Sequence, residues 1–311
     1  YDLETIRTFS PEHYALMDIT DTMTFDVLKK AYSKYSKLDP SYIDFRRELD
    51  MTNDKDIFKE EVTNIPLYEG KMIHQFDNQF ATPTRYLDAE EFDNRIRSKE
   101  IGRMAKDLGV KKTEIIKHGY DKYIKYDREY FKIAFRAIAR DTDERTLVTT
   151  LLPQNIGIGN SVYSEIPKCY TLQNSTIEVI ANCANKKLFL LAMFNSLTVD
   201  FILRLSVSIN VNKTYLMRLP MPQPSSKELK ASEDYQTLII NALKLTLFHS
   251  YDDFEELAQK YHLTKQDIPS TQKQVDKLKV QNDIIIAKLY NITPKELAHI
   301  LSTFKVYQNK N

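Results

Sequence analysis

Between Lys111 and Arg140 the chain interleaves cations with aromatic rings: Lys117, Lys122, Lys125 and Arg128 alternate with Tyr120, Tyr123, Tyr126 and Tyr130. Ammonium and guanidinium groups neutralise phosphates and release counterions, while a tyrosine donates a hydrogen bond to a phosphate or stacks on a base. Taken alone, the same stretch would also suit an exposed charged helix with half-buried tyrosines. Its last part, FKIAFRAIAR, alternates cleanly, with Phe131, Ile133, Phe135, Ala137 and Ala139 on one side and Lys132, Arg136 and Arg140 on the other. A strand here places three cations on one outward face, whereas a helix would scatter them. The β-branched run TLVTTLLP, Thr146 to Pro153, predicts a strand beside it.

Two further segments offer polar side chains suited to recognition. In IPLYEGKMIHQFD, Ile65 to Asp77, a strand puts Lys71, Ile73 and Gln75 on one face and Met72, His74 and Phe76 on the other. Lys71 can hold a phosphate or pair with a nearby carboxylate, and Gln75 has the geometry to pair bidentately with adenine. His74, flanked by apolar neighbours, reads as a core histidine. In ARDTDERT, Arg145 either reaches a guanine or a phosphate with its planar fork, or clamps Asp141, Asp143 and Glu144 and orders the turn.

Other constellations carry less. Glu69-Gly70-Lys71 has the Glu-x-Lys form of metal-dependent nucleases, with Asp50, Asp54 and Asp56 upstream, yet Glu228-Leu229-Lys230 makes the same pattern by chance. IGIGNS, with Gly157, Gly159 and Asn160, reads as a tight turn because no phosphate-binding helix follows. The histidines form no close metal-binding pair, and Cys169 and Cys183 lack zinc spacing, which fits a reducing cytosol.

The elements that must position these groups divide by texture. Ser10, Pro11 and Glu12 predict a helix start, and Met23 to Tyr35 has helical spacing. Phe45 to Ala81 is broken by Asn53, Asp54, Pro66 and Gly70, as strands joined by turns would be. Lys186 to Leu205 predicts a buried helix, the Pro-rich LPMPQPSS from Leu219 to Ser226 a boundary, and the rest helices. LIINALKLTLF, within Tyr235 to His249, is too apolar for a free surface helix, and Thr293, Pro294 and Glu296 form a capping box that opens a last helix through about Phe304. With 311 residues and 42% hydrophobic content, a substantial core is expected. The net charge is only +1, but the Arg95 to Arg140 stretch holds 14 Lys and Arg against 6 Asp and Glu, so the positive charge is concentrated. No apolar run reaches the roughly 20 residues that span a bilayer.

Three of these segments occur in a telling order: IPLYEGKMIHQFD, then FRAIARDTDERT (Phe135 to Thr146), then FNSLTVDFILR with LPMPQP (Phe194 to Pro224). Together they resemble the target-recognition region of type IIG restriction-modification enzymes and related phage-defence adenine-specific DNA methyltransferases, in which a specificity domain follows the catalytic one. The resemblance covers Tyr1 to Pro224 and is weaker over the C-terminal helices. It implies an α+β fold with a mixed or antiparallel sheet: a helical lead-in over 1–44, a DNA target-recognition domain over 45–224 and an all-helical C-terminal domain over 225–311.

The implied function is sequence-specific recognition of double-stranded DNA on behalf of a catalytic methyltransferase domain outside this stretch, in the cytoplasm and without a membrane. The parent would use S-adenosylmethionine to modify adenine N6, and Mg²⁺ if it also carries a nuclease. No cofactor is expected in this stretch itself, since the family's Asn-Pro-Pro-Tyr-type motif and glycine-rich cofactor loop do not occur in it. A first residue that is Tyr1 rather than Met fits a piece of a longer polypeptide, and the lack of an internal repeat suggests one continuous target.

Motif positions in such families mostly build the scaffold, so base contacts do not carry over. The expected DNA-binding residues are instead taken from side-chain type, strand face and local charge: Lys71, Gln75, Lys122, Lys125, Lys132, Arg136, Arg140 and Arg145. Two rivals remain: a Mg²⁺ nuclease using Glu69 and Lys71, and an interaction module that docks a partner through its C-terminal helices.

Overall fold

The computed structural model describes residues 19, 21–138, 144–174, 176–207 and 210–304. In chain order its elements begin with α1 (Thr22–Lys34), β1 (Phe45–Arg46), β2 (Ile65–Tyr68), β3 (Tyr86–Leu87), α2 (Ala89–Leu108), α3 (Lys112–Lys117) and β4 (Lys132–Arg136). Next come β5 (Thr149–Leu152), β6 (Gly157–Ile158), β7 (Val162–Glu165), β8 (Lys168–Gln173) and β9 (Thr176–Ala181). The remainder is helical: α4 (Ala184–Phe194), α5 (Leu197–Arg204), α6 (Lys213–Met217), α7 (Ser226–Ala231), α8 (Glu233–Ser250), α9 (Glu255–Lys260), α10 (Gln272–Leu289) and α11 (Pro294–Thr303). The fold is α+β, as the sequence predicts.

Local chemistry accounts for many boundaries. Asp21 caps α1 by accepting from the Thr24 N–H at 2.8 Å. Thr293 and Glu296 form the reciprocal box expected at α11, with Pro294 in the first turn. The apolar stretch expected as one helix between Lys186 and Leu205 is two, α4 and α5. Ser196 caps α5 at the break by accepting from the Val199 N–H, and the Asn195 side chain bonds the backbone of Thr149 and Leu191. The expected start at Ser10 lies outside the described residues.

Three sheets organise the first two thirds. One is four-stranded and antiparallel throughout, in the order β1-β7-β4-β5; a second runs β3-β2-β6, with β2 and β6 parallel; β8 and β9 form a separate hairpin. The strand alternation read from FKIAFR is real. Ile133 and Phe135 join the principal core with Phe45, Leu151, Phe194 and the C-terminal helices. The Phe45 ring meets Phe135 edge-on at 5.3 Å and Phe194 at 6.1 Å. On the opposite face, Ala134 packs with Tyr68, Met72, Ile73, Leu152, Ile158 and Val162. The sheet is therefore covered on both sides, and the face expected to meet solvent lies beneath the 68–73 segment.

The principal core also runs through the Pro-rich strap. Leu219 and Met221 are buried, the Leu38 N–H donates to the Leu219 carbonyl, and the Met221 N–H donates to Ser36. Tyr290 Oη on α10 donates to the Pro220 carbonyl at 2.7 Å. Leu238, Ile239, Ala242, Leu243, Leu245 and Leu247 of α8 belong to this same core, which explains the apolarity of that helix.

A lobe built from α2, α3 and the β8–β9 hairpin has its own small core of Ile101, Met104, Ala105, Ile115, Tyr170 and Ile177. It is tied to the four-stranded sheet by charge. Lys168 of the hairpin bonds Glu100 of α2 at 3.1 Å and Asp127 at 2.5 Å, and Arg46 of β1 bonds the same two carboxylates. Burial alone would raise the Asp127 carboxyl, but Arg46, Lys168 and Lys132 outweigh it and hold the group below its usual range.

Candidate nucleic-acid interface

The three segments of the family resemblance converge in space, and they do so inside the protein. The Asn195 carbonyl accepts from Gln75 Nε2 at 3.2 Å and from Arg145 Nη2 at 2.6 Å, so one backbone oxygen gathers all three. Arg145 also pairs with Asp200 at 2.8 Å, and that carboxylate accepts from the Leu147 N–H. Burial raises the Asp200 pKa against the lowering pull of Arg145 and Arg204. Arg136 donates to the carbonyls of Gly70 and Ile73, at 3.0 and 2.6 Å, and so fastens the 70–73 turn to β4. Bonding of this kind offsets the cost of burying polar groups.

Several expected DNA contacts are corrected by this geometry. Lys132 is fully buried, with its ammonium 2.6 Å from Glu48 and also bonded to the Ile156 carbonyl. Gln75 and Arg145 are buried and engaged as described, Arg145 clamping Asp200 on α5 rather than reaching outward. Arg136 is half-buried against the 70–73 turn. Lys132 and Arg136 lie on the face of the sheet that the 68–73 segment covers, and Gln75 and Arg145 turn inward onto the Asn195 carbonyl between α4 and α5, so all four find internal partners. Arg140 lies outside the described residues.

Lys71, Lys122 and Lys125 do reach solvent. The Lys71 side chain is 61% exposed, 3.5 Å from Glu69. Lys125 pairs with Glu129 at 3.1 Å, and the Lys122 ammonium sits 5.0 Å from the centre of the Tyr123 ring.

The fate of the other cations in the basic stretch locates where positive charge remains. Arg95 is held by Asp54 and Asp56, Arg97 by Asp121, Arg103 by Asp107 and Arg128 by Asp93. Lys99 and Lys112 donate to the carbonyls of Glu48 and Ser98. Among the described residues, Lys106, Lys111, Lys117 and Lys122 have no carboxylate within ion-pair distance, and all four are exposed. They run from the end of α2 through α3 and the turn after it. Rings accompany them: exposed His118 stacks at 5.5 Å on Tyr120, which is half-buried against the lobe's core, and exposed Tyr123 lies beside Lys122. Of the basic stretch, sequence reasoning weighted the half that the structure buries or pairs. It also missed the β8–β9 hairpin, whose signal was present as two alternating runs around Asn174-Ser175.

The remaining candidates resolve as follows. His74 is half-buried, stacks on Phe80 at 4.9 Å and has its pKa pushed down to about 4 by burial, then by Arg136 and Lys279. Gly157 forms β6, where an added Cβ would strike Leu87, and the Val162 N–H closes the turn onto Gly159. The carboxylates that a nuclease would gather are dispersed: Asp54 and Asp56 face Arg95, while Glu69 faces Lys71 and Arg85. Among the described residues no helix is long and apolar enough to cross a membrane.

No protein-family model and no curated protein matches the chain. Among solved structures it is similar to one described as the type IIL restriction-modification enzyme MmeI in complex with DNA, at 12% identity and a TM-score of 0.37. The match covers 89% of this chain and 35% of that one, so the chain spans about a third of the longer protein's length. A likeness at this level carries no argument about function.

Proposed function

We propose that this chain is a double-stranded DNA target-recognition module of a restriction-modification adenine methyltransferase, holding DNA for a catalytic domain elsewhere in a cytoplasmic parent protein. The observation that carries the reading is the set Lys106, Lys111, Lys117 and Lys122, exposed and, among the described residues, with no carboxylate at ion-pair distance, in a segment that also holds the His118, Tyr120 and Tyr123 rings. Such ammonium groups track phosphates, and the rings supply hydrogen-bonding and stacking surfaces. The order of the three family-like segments supports it further, because their side chains meet in the buried junction that a shared scaffold requires. In the parent, S-adenosylmethionine and the adenine chemistry belong to the catalytic domain. The recognition module orients the duplex so that a flipped base reaches that site.

The interaction-module rival has less support, since the apolar side chains of α8 that suggested it are used in the chain's own core.

The test is binding of the whole chain to duplex DNA, followed by fluorescence anisotropy across a salt series. Each phosphate neutralised contributes about −0.9 to the slope of log K against log salt. Replacing all four lysines by alanine is expected to flatten that slope by about 3 to 4. Salt-independent binding, or a variant that binds as the wild type does, overturns the proposal.

A further inference from the structure

The β8–β9 hairpin has two faces with different neighbours. Tyr170, Ile177 and Val179 point toward α2 and α3 and belong to the small core of the lobe. The cross-strand pairs Thr171↔Glu178, Gln173↔Thr176 and Cys169↔Ile180 fix the other face. On it Gln173, Thr176, Glu178 and Ile180 are all exposed, Ile180 by 47%. Leu172, near the tip, is 49% exposed as well. Leu172 pairs with Ile177 on the inner face, so the outer face offers one half-open apolar side chain, Ile180, among the exposed polar groups Gln173, Thr176 and Glu178.

Charge decides the kind of partner. The inner face packs on Ile115 of α3, the helix that carries Lys117 and follows Lys111, and on α2, which ends beside Lys106. The lobe that presents the ribbon thus also carries exposed cations that, among the described residues, have no carboxylate at ion-pair distance, a charge that suits a polyanion. Its size also fits. Six residues per strand extend about 20 Å, and a two-stranded ribbon is an object that the major groove of B-form DNA, about 12 Å wide, admits.

We propose, resting on the DNA-binding reading above, that the outer face of the β8–β9 hairpin enters the major groove and reads base edges, while Lys106, Lys111 and Lys117 hold the flanking phosphates. The side chains suit the task. Gln173 pairs bidentately with adenine, Glu178 accepts from the cytosine amino group, Thr176 bonds to either kind of edge, and Ile180 packs on a thymine methyl. The four positions sit on paired strands, so they address neighbouring base pairs and specify a short block of the target.

The experiment selects binding sites for the whole chain from a pool of duplexes with a randomised core, then repeats the selection with Gln173→Ala, Glu178→Gln and the double variant. These exposed positions leave the fold intact, which thermal melting verifies. Wild-type enrichment of a defined sequence is expected. Each single variant should lose preference at one position, with roughly tenfold weaker binding to the enriched site. Affinity for unrelated duplex and the salt slope should stay at wild-type values. Variants that enrich the same sequence with undiminished affinity overturn the hairpin assignment, while salt-dependent binding and the lysine effect would still stand. Absence of any salt-dependent DNA binding by the wild type overturns this proposal and the DNA reading together.

Discussion

Lys132 and Lys117 belong to the same basic stretch, yet one is sealed against Glu48 inside the protein and the other lies on the outside of a small lobe without a carboxylate partner. The contrast extends to their surroundings. Lys132, Arg136, Arg145 and Gln75 hold neighbouring segments together, and each of these three cations has an oxygen partner from another segment. Lys106, Lys111, Lys117 and Lys122 hold nothing of the kind. A buried charge must find a partner or lose its charge, whereas an exposed ammonium can remain hydrated until a polyanion displaces its water. The first group therefore serves stability, and the second is the one proposed to bind, although composition alone ranks them together.

The sharpest way to break this comparison is to remove the buried ammonium. In Lys132→Ala the Glu48 carboxylate keeps its bond from the Ile158 N–H but loses its counter-ion in a fully buried site. A loss of about 3–5 kcal/mol in urea-denaturation stability is expected. Adding Glu48→Gln to Lys132→Met keeps that acceptor, removes both charges and should recover a large part of the loss. DNA affinity of the folded variants should match the wild type. A Lys132→Ala protein that is fully stable yet binds DNA poorly would reverse the roles assigned to the two groups.

What the sequence disclosed and withheld follows from the same contrast. The helical spacing of α1, the cap at α11, the alternation in β4 and the apolar demand of α8 are local, and each appears as expected. Alternation gives the parity of a strand, since Ile133 and Phe135 do share a face. It does not say whether the other face is covered. That depended on the 68–73 segment folding over Ala134 and Arg136, a contact between parts of the chain far apart in sequence. Arg145 illustrates the same limit: its expected partners were a guanine or a phosphate, or else the adjacent carboxylates, and its actual one is Asp200 on α5. The hairpin was legible in its alternating runs, but it lacks the Asn-Gly or Asp-Gly pair that marks such turns most strongly.

A smaller effect separates the two regions by pH. His74 belongs to the junction, where Arg136, Lys279, Glu144 and Asp77 act on it and its pKa falls to about 4. Its unfolded value is near 6.5, so the unfolded chain binds more protons between those limits. The stability it contributes is present above pH 6.5 and lost as pH falls toward 4, on the order of 2 kcal/mol after allowing for its partial exposure. Asp283 acts in the opposite sense. Burial raises its pKa to about 6, so its contribution is present below the unfolded value near 3.8 and lost as pH rises through 6. His74→Asn should therefore resist acid better than the wild type between pH 7 and 4.5, and Asp283→Asn should resist it less well. Urea midpoints at the two pH values measure this, and identical pH responses in all three proteins would contradict the assignment.

The smallest expected change in stability comes from the lobe itself. Lys117 lies near the end of α3, exposed and away from the small core built around Ile115, so Lys117→Ala should alter stability by no more than about 0.5 kcal/mol. Its effect should appear only with DNA present, as a salt slope flatter by about 0.9 and a weakening that is uniform across sequences. The uniformity is the informative part. A phosphate contact carries no base information, so a Lys117→Ala protein that binds more weakly to one sequence than to another would place this lysine at a base edge, and the division between phosphate-holding helix and base-reading hairpin would have to be redrawn.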